Sequence, residues 1–389
     1  MEPRLLGFLA TVTVLSLLLH LWLALRLTAP LEPGRLRRGI RVALGVHAVF
    51  MPCSLLLMPL SGRPWADVLQ IVGWTTTGFW SLLFIFQLAR DLLWGAVTLL
   101  DRAVDVLPPD PERRAFLQRS LNGGVAVLAG TVGTAAAVRA QLRPVVERVR
   151  IPIPDLPEAL SGLRIAQVSD LHVGPTVRRH DMERVVEAVQ ALAPDLVAVT
   201  GDLVDGPVAA LAPHVAPLAA LGGPLGCYFV TGNHEYYSGA EAWCDHVRSA
   251  LGMTVLLDEH VVVERDGHRV LVAGVADLRA KEILPSHRSD PAAAIAGAPP
   301  CDLRLLLAHQ PESIDQARDL GFHLQLSGHT HGGQYVPFTW LIKLVKRFVA
   351  GLHDVDGTWV YVNRGTTYWG PPMRLGSPQE ITLLELVRA

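Results

Sequence analysis

Five short segments in the second half of the chain carry side chains that bind metal ions. They are Asp170-Leu-His172, Gly201-Asp202, Gly232-Asn233-His234-Glu235, His309 and Gly328-His329-Thr-His331. Their ligands are carboxylates, an amide oxygen and imidazoles without any thiolate, a set that suits manganese, iron or zinc in hydrolysis. One pair of histidines would be weak support, but five such segments in this order predict a hydrolytic metal site.

Each segment follows an apolar, strand-like run, so one sheet could bring all of them to a common edge. In α/β proteins this edge is where ligands usually bind. Asp170 and His172 are separated by one residue, so they face the same way if the backbone is extended. Gly201 permits a sharp turn that exposes the carboxylate of Asp202.

The carboxylate of Asp202 can bridge two cations because it has two oxygens. Two cations about 3.5–4 Å apart hold both the attacking and the leaving oxygen of an in-line displacement, and they convert a bridging water into hydroxide at neutral pH. His329 and His331 alternate along the chain, so each can bind a different cation. The pattern therefore predicts a dinuclear hydrolytic centre.

The composition predicts a membrane part followed by a soluble part. Of the 389 residues 50% are hydrophobic and only 18% are charged, and this excess is concentrated before Arg150. The formal charge of −2 and the lack of a Lys/Arg-rich block in the second half argue against a nucleic-acid partner. The four cysteines show no CxxC spacing, which leaves only a single Cys227–Cys244 bridge as an open alternative.

Four apolar runs predict an all-α transmembrane bundle within residues 1–140, at residues 5–25, 42–60, 68–88 and 121–138. The first run could be an uncleaved signal sequence, but Glu2 and a single arginine make a poor positive region ahead of it. Residues 141–160 are assigned to a linker and residues 161–389 to the catalytic domain. Within the linker, residues 150–157 indicate either an extended spacer or an edge strand, because alternate prolines exclude a helix.

Arginine counting predicts the orientation. The first and third loops each contain five arginines, whereas the second contains only Arg63. The positive-inside rule then places loops one and three in the cytoplasm and the catalytic domain outside it. Four arginines after the last run (139, 143, 148 and 150) argue the other way, and one helix fewer would reverse the result.

From residue 163 onward, strand and helix patterns alternate, which predicts an α/β domain. Residues 255–264 and 270–275 read as an antiparallel hairpin. The other predicted strands are residues 163–169, 195–200, 227–231, 303–308, 323–327, 359–363 and 380–386, with helices at 179–192, 208–221 and 312–320.

This region resembles the calcineurin-like metallophosphoesterases, whose motifs are D-x-H, G-D, G-N-H-[ED], H and G-H-x-H in this order. Residues 232–239, 328–334 and 374–381 are similar to the membrane-associated YkuE type. The resemblance implies an α/β/β/α sandwich of two mixed sheets. The chain departs from these relatives after Gln334, where they have a short polar or proline-marked loop.

The resemblance also implies roles for individual residues. It implies two divalent metal ions (Mn²⁺, Fe²⁺/³⁺ or Zn²⁺), the first held by Asp170, His172, Asp202 and His331. The second would be held by Asp202, Asn233, His309 and His329, so Asp202 bridges the two. His234 matches a histidine that contacts the phosphate and protonates the leaving alkoxide, which makes His234 and Asp202 the catalytic residues.

Taken singly, several of these residues have an ordinary structural explanation. Asp170 and Asp202 are typical of turns or helix caps at strand ends, Asn233 of a turn, and His309 of a hydrogen-bonded core histidine. The complete series favours metal ligation over these explanations.

Three other polar residues are interpreted as structural. Asp205 precedes Gly206-Pro207, so it is expected to cap the following helix. His20 and His47 lie in the apolar runs and are expected to have packing or interfacial roles, although ionisable groups within a membrane are often functional.

Residues 338–349 place three cationic side chains among Trp340, Leu341, Leu344 and other apolar residues. If helical, this segment could lie on a membrane. The alternative is a helix packed against the domain core, and the sequence leaves both open. Either way it follows the His329-Thr-His331 motif and lies beside the active-site mouth.

Together these features predict a membrane-anchored hydrolase of a phosphodiester or pyrophosphate, with its catalytic domain outside the cytoplasm. Because membrane anchoring concentrates lipid substrates, a lipid or cell-envelope phosphoester is the expected partner, beside the membrane lipids themselves. The competing interpretation is a non-catalytic, metal-stabilised module that binds the cell envelope. It is disfavoured because degenerate family members usually lose ligands, and this chain has lost none.

Overall fold

The computed structural model describes residues 3–57 and 60–389. The chain forms two compact units. One comprises Met1–Met58 and Pro64–Ala137, and the other comprises Pro59–Arg63 and Val138–Ala389.

The first unit is helical, as the apolar runs predict. Its helices are α1 Pro3–Thr28, α2 Arg35–Leu55, α3 Pro64–Val104 and α4 Pro111–Arg139. Segments of three of them, Ala10–Thr28, Pro64–Val104 and Pro111–Arg139, are long and apolar enough to cross a membrane. Helix α2 is not among these three, because the cluster of arginines at its start lowers its hydropathy. Met58 and Pro59, inside the predicted second span, lie outside the described residues.

Helix α3 extends well beyond the predicted span at residues 68–88. It has 41 residues, which at a rise of about 1.5 Å per residue corresponds to about 60 Å. A hydrocarbon core is about 30 Å thick, so roughly half of this helix exceeds what a crossing requires.

His20 and His47 lie next to each other within the helical unit. His20 Nε2 is 2.8 Å from His47 Nδ1, His20 Nδ1 is 2.7 Å from the Ser16 carbonyl, and His47 Nε2 is 3.1 Å from Thr76 Oγ1. The ring of His20 stacks on Trp80 at a centroid distance of 4.4 Å. Each histidine therefore joins neighbouring helices through hydrogen bonds, in agreement with a packing role.

The second unit contains two six-stranded sheets, with the strand orders β1-β12-β2-β3-β4-β5 and β10-β11-β9-β8-β7-β6. The strands are β1 Val145–Ile153, β2 Leu163–Val168, β3 Leu196–Val199, β4 Cys227–Phe229, β5 Thr254–Val255, β6 Glu259–Arg265, β7 His268–Gly274, β8 Leu303–Leu307, β9 Leu324–Ser327, β10 Gly351–Val355, β11 Thr358–Val362 and β12 Glu380–Arg388. The remaining helices are α5 Arg179–Ala191, α6 Val208–Val215, α7 Asn233–Ser238, α8 Ala240–Ser249, α9 Pro291–Ala294, α10 Ile314–Ala317 and α11 Phe338–Leu341.

Both sheets are mixed. Most neighbouring strands are parallel, but β12 pairs with β2, β10 with β11, and β6 with β7 in antiparallel fashion. Side chains alternate between the two faces of each strand. In β2, Leu163 and Ile165 belong to a core between the sheets, whereas Ala166 and Val168 pack under the outer helices. The predicted sandwich of two mixed sheets with outer helices is confirmed.

The sheet begins inside the segment that was assigned to a linker. Strand β1 is an edge strand parallel to β12, so the edge-strand alternative applies at residues 150–153. Pro152 is tolerated there because an edge strand leaves one row of N–H positions unpaired. Its carbonyl accepts a hydrogen bond of 2.7 Å from Trp359 Nε1. Only residues 140–144 separate α4 from β1.

The predicted strand at residues 255–264 is divided between the two sheets. Val255 ends β5 in the first sheet, and Glu259 begins β6 in the second. Asp258 turns the chain between them with a φ of 58°. The antiparallel partner β7 is present as predicted, whereas β10 was not predicted. All four cysteines are free, which excludes the Cys227–Cys244 bridge in this structure.

Candidate metal centre

The predicted ligands lie where consecutive parallel strands end. Strands β2, β3 and β4 are neighbours in the first sheet, and β8 and β9 are neighbours in the second. The segments that follow these five strands carry Asp170 and His172, Asp202, Asn233 and His234, His309, and His329 and His331. Each sheet therefore delivers part of the ligand set from the carboxyl ends of its strands.

Five of the seven predicted ligands have a left-handed backbone. The φ angles are 54° at Asp170, 42° at His172, 53° at Asp202, 72° at His329 and 51° at His331. Residues other than glycine rarely adopt this region, and such strain is concentrated at functional sites. These residues leave their strands through strained turns that direct the side chains toward one another.

The motif glycines are required by close packing around the ligands. A Cβ atom at Gly328 would lie 2.0 Å from Ser169 Oγ and 2.3 Å from Asp170 Oδ2. A Cβ atom at Gly232 would lie 2.2 Å from Asp202 Oδ1. All three distances are well inside van der Waals contact, so a larger residue at either glycine would displace the carboxylate of a predicted ligand.

Asp170, His172 and His331 form one group of ligand atoms that lie within 4.8 Å of one another. The Nε2 atoms of the two histidines are 3.1 Å apart, and His331 Nε2 is 3.5 Å from Asp170 Oδ1. All three side chains are buried. Convergence of two imidazoles and a carboxylate fits a divalent cation of the predicted type.

Asp202, His309 and His329 form the second group. His309 Nε2 is 3.1 Å from Asp202 Oδ2 and 3.2 Å from His329 Nδ1. Asn233 lies between Gly232 and His234, which both contact Asp202, and its Oδ1 is buried without a hydrogen-bond partner among the described residues. A buried amide oxygen is costly without a partner, so a cation at this position would satisfy it.

Asp202 connects the two groups. Its Oδ2 is 3.1 Å from His309 Nε2 and 3.7 Å from His172 Nε2, and its Oδ1 accepts a hydrogen bond of 2.8 Å from the backbone N–H of His234. Burial opposes ionisation of this carboxyl, but the charges of His309 and His234 outweigh burial and hold its pKa well below the usual range. Asp202 is therefore a carboxylate at neutral pH, as a bridging ligand must be.

His234 lies beside the two groups but is not one of the predicted metal ligands. Its Nδ1 is 2.5 Å from Asp205 Oδ1, and its Nε2 is 4.0 Å from Asp202 Oδ2. Burial lowers the pKa of the imidazole, but the carboxylates of Asp202 and Asp205 outweigh burial and raise it to about 9. In the metal-free protein His234 is thus protonated at neutral pH, with one N–H directed at Asp205.

Comparison with known proteins assigns this arrangement to a family. The sequence model for the calcineurin-like phosphoesterase domain matches residues 163–333, which contain every predicted ligand. A Danio rerio transmembrane protein with metallophosphoesterase domain is 40% identical over 332 residues, covering 82% of this chain and 74% of the relative. The chain belongs to the calcineurin-like phosphoesterase family.

Two further relatives of this phosphoesterase extend the comparison. The Bos taurus transmembrane protein with metallophosphoesterase domain is 37% identical over 334 residues, covering 82% of this chain and 74% of the relative. The uncharacterized metallophosphoesterase YkuE of Bacillus subtilis is 29% identical over 287 residues, covering 70% of this chain and 97% of YkuE. The resemblance inferred from the motifs is confirmed.

Asp205 has a different position from the one expected. It does not cap α6, whose N-cap residue is Pro207 and which has no side-chain capping hydrogen bond. Instead its Oδ1 contacts His234 Nδ1, and its Oδ2 is 3.2 Å from His172 Nδ1. The signal available in the sequence was an acidic residue three positions after Asp202. The phosphoesterase thus uses Asp205 to orient a predicted proton donor and a predicted ligand together.

Asp205→Asn should move the alkaline limb of the kcat/KM pH profile to lower pH. The Asp205 carboxylate raises the pKa of His234, so without its charge His234 loses the proton at lower pH. The profile is measured with an alkyl phosphodiester, whose leaving group depends on protonation. Asp266→Asn, an exposed aspartate in the β6–β7 turn, is the matched control. An unchanged alkaline limb in Asp205→Asn with normal metal content would contradict this role.

Glu235 joins two of the phosphoesterase motifs. Its fully buried carboxyl accepts hydrogen bonds from the backbone N–H groups of Asp202, Leu203 and Gly232, at 3.0, 2.7 and 2.6 Å. Burial and the neighbouring Asp202 carboxylate raise the pKa of Glu235 to about 8. This residue holds the Gly201-Asp202 loop against the start of α7, and so fixes the Asp202 carboxylate, the predicted bridging ligand, relative to Asn233.

Arg374 performs a similar task for His331. The guanidinium is only 1% exposed, its Nη1 donates to the His331 carbonyl at 3.0 Å, and its Nη2 is 2.9 Å from His331 Nδ1. Burial and the charge of Arg374 lower the pKa of His331 well below its usual value. The ring is therefore neutral and held in orientation, although sequence reasoning gave Arg374 no role at the site.

Proposed function

We propose that the chain is a membrane-anchored phosphoesterase that uses two metal ions to hydrolyse a phosphodiester or pyrophosphate bond. The family is one of metal-dependent phosphoester hydrolases. The observation that supports the dinuclear proposal most directly is the position of Asp202, whose carboxylate lies between two separate groups of nitrogen and oxygen ligands.

The ligand set fits two divalent cations. Oxygen and imidazole ligands without a thiolate suit manganese, iron or zinc. The first cation would be held by Asp170, His172, Asp202 and His331, and the second by Asp202, Asn233, His309 and His329. When bound, the pair supplies a hydroxide nucleophile at neutral pH and neutralises charge on the phosphate.

The side chains around the ligands complete the chemistry. His234 directs one ring N–H at Asp205, which leaves the Nε2–H to face the Asp202 side of the site. From there it contacts a phosphate oxygen and donates its proton to the leaving alkoxide, a step for which a protonated imidazole is suited. Asp205 keeps the ring oriented throughout.

The surroundings of His234 favour a diester or pyrophosphate over a monoester. The rings of Tyr237 and Trp369 both lie 5.3 Å from the His234 ring, and both are partly exposed. Arg374, the cation next to His331, is buried and donates to backbone carbonyls instead of facing the opening. Aromatic walls suit an organic group on each side of the phosphate, whereas a monoester dianion would call for additional exposed cations.

We place the catalytic domain outside the cytoplasm. Residues 60–63, which follow the second helix, belong to the same compact unit as residues 138–389. Helices α3 and α4 separate these two parts of the chain, and both are apolar enough to cross a membrane. Two crossings return the chain to its starting side. The adjoining ends of α3 and α4 carry Arg90, Arg102, Arg113, Arg114 and Arg119, so by the positive-inside rule they lie on the opposite, cytoplasmic side.

The substrate is proposed to be a lipid, a lipid-linked sugar phosphate or a cell-envelope precursor. This proposal follows from membrane anchoring, which concentrates the site at a lipid surface. Lipid and cell-envelope profiling of a strain that lacks the protein, followed by assay of the metabolite that accumulates, would identify it. Accumulation confined to water-soluble phosphoesters would contradict the lipid proposal.

The catalytic proposal is tested with the full chain purified in detergent. With added Mn²⁺ it should hydrolyse bis(p-nitrophenyl) phosphate, faster than it hydrolyses p-nitrophenyl phosphate. Exhaustive EDTA treatment should abolish this activity, and Mn²⁺ should restore it. Hydrolysis that survives EDTA would contradict the metal assignment. Full metal occupancy without hydrolysis of any phosphoester would instead favour the non-catalytic binding module.

A further inference from the structure

Residues 340–345 form an exposed ridge, in which Trp340, Leu341, Ile342, Leu344 and Val345 supply apolar side chains and Lys343 supplies a cation. They cover the end of α11 and the 3₁₀ turn Ile342–Leu344. Leu344 is 81% exposed, Val345 82% and Trp340 65%. Among the described residues no large apolar side chain is more exposed than Leu344 and Val345, not even in the apolar helices. Both alternatives drawn from the sequence assumed a helix along this segment. The structure instead has the short helix α11 followed by a 3₁₀ turn, and the apolar side chains point outward from them.

Both ends of the ridge are fixed to the loop that carries His329 and His331. Thr330 Oγ1 donates a hydrogen bond of 2.5 Å to the Val349 carbonyl. On the other side, a Cβ atom at Gly333 would lie 2.6 Å from the Phe338 carbonyl oxygen, so the start of α11 packs directly on this glycine. The ridge is therefore held in a fixed position beside the metal ligands.

The residues after the ridge anchor it to the domain. Phe348 is buried in the outer core of the second sheet. Lys346 pairs with Glu312 at 2.8 Å, and Arg347 pairs with Asp315 at 3.0 Å. Residues 346–348 are therefore anchored to the domain, whereas residues 340–345 are exposed. The cation within the exposed part is Lys343.

The ridge and the opening of the site are parts of one connected surface loop system. Gln334 lies between His331 and α11, and its side chain bonds to both backbone groups of Trp369, at 2.9 and 3.0 Å. Trp369 packs against His234, as does Tyr237, which is 61% exposed. Two partly exposed aromatic rings thus pack beside the predicted proton donor, and one of them, Trp369, is linked to the ridge through Gln334.

We propose that the ridge inserts into the interfacial layer of the bilayer that holds the apolar helices, so that the metal centre acts on phosphate groups of lipids in that layer. This rests on the proposed function and narrows its substrate to a bilayer-borne phosphodiester or pyrophosphate. Trp340 and Leu344 are suited to the lipid–water interface, and Lys343 complements anionic headgroups.

The length of the connection favours this bilayer as the partner. Residues 140–144 are all that separates α4 from the first strand of the catalytic domain. Five residues span at most about 18 Å when fully extended. A short connection keeps the catalytic domain close to the bilayer that holds the helices, which favours lipid over a soluble protein as the occupant of the ridge.

The insertion is tested without reference to catalysis. Full chain carrying Cys53→Ser and Cys301→Ser is labelled with an environment-sensitive fluorophore at Leu344→Cys and reconstituted into nanodiscs of phosphatidylcholine and phosphatidylglycerol. Asp266→Cys serves as the control, since it precedes β7 at the edge opposite the metal ligands. Doxyl-labelled lipid should quench the label at 344 several-fold more than the label at 266.

Equal quenching at the two positions would overturn the proposal. A label at 344 that is shielded from water but not quenched by doxyl lipid would also overturn it, since a second copy of the chain or another protein would then cover the ridge. Because quenching does not depend on turnover, this experiment tests membrane insertion even if the protein is inactive. The hydrolysis assays described above test the proposed function separately.

A second readout links the ridge to the substrate. The triple variant Trp340→Ser, Leu344→Ser, Val345→Ser should hydrolyse bis(p-nitrophenyl) phosphate at the wild-type rate. Its hydrolysis of phosphatidyl-p-nitrophenol in the same nanodiscs should fall by at least about tenfold. Equal losses on both substrates would indicate a structural role and contradict the proposal, as would an unchanged rate on the lipid.

Discussion

Asp202→Ala is expected to remove both cations and to reduce hydrolysis to the metal-free background. Asp202 Oδ2 lies 3.1 Å from His309 Nε2 and 3.7 Å from His172 Nε2, so its loss takes a ligand from each group. Each cation would then keep only three ligands, and the negative charge of the shared carboxylate would be absent from between the two cations. Elemental analysis of the purified variant, together with diester hydrolysis, measures both effects.

Two matched variants give this experiment its controls. Asp170→Ala removes a carboxylate from one group alone, so one cation should be lost and the other retained. Asp266→Ala removes an exposed carboxylate at the opposite sheet edge and should retain both. Retention of one cation in Asp202→Ala would show that this residue serves a single site, contrary to the bridging arrangement.

His234→Ala should retain both cations and lose most of its turnover. The imidazole is not required by either ligand group, but it provides the protonated group beside Asp202. Removing a positioned general acid typically costs about 10²- to 10⁴-fold in rate. Turnover and metal content are measured for this variant and for His234→Gln, which retains polarity but carries no transferable proton.

The leaving group distinguishes a proton donor from a merely structural histidine. A p-nitrophenolate needs little protonation, whereas an alkoxide needs much more, so the loss should be larger for an alkyl diester. A loss of the same size for both leaving groups would contradict the role of His234 in proton donation. Loss of a cation from His234→Ala would instead indicate that His234 is itself a metal ligand.

The sequence alone predicted the two-sheet sandwich and the convergence of the predicted ligands, because both depend on local patterns. Asp170, Asp202 and His309 each follow an apolar run, and parallel neighbouring strands end at the same edge. Strand alternation predicted which segments form the sheets. The assignment of each ligand to a particular cation came from the resemblance, and it stays a prediction until metals are seen.

Other features depend on tertiary contacts that no local pattern contains. Asp205 looked like a cap because its partner His234 is 29 residues away. Arg374 reaches His331 from 43 residues away. The division of residues 255–264 between two sheets depends on a single turn at Asp258, and the exposure of Leu344 depends on how α11 packs on Gly333.

The dinuclear centre is tested most directly by electron paramagnetic resonance of the metal-free full chain titrated with Mn²⁺. Two manganese ions about 3.5–4 Å apart and joined by a carboxylate should give a spin-coupled signal that reaches its maximum at two equivalents. That signal should be absent from Asp202→Ala. A spectrum of isolated Mn²⁺ that saturates at one equivalent, or that shows two uncoupled ions, would contradict the shared site.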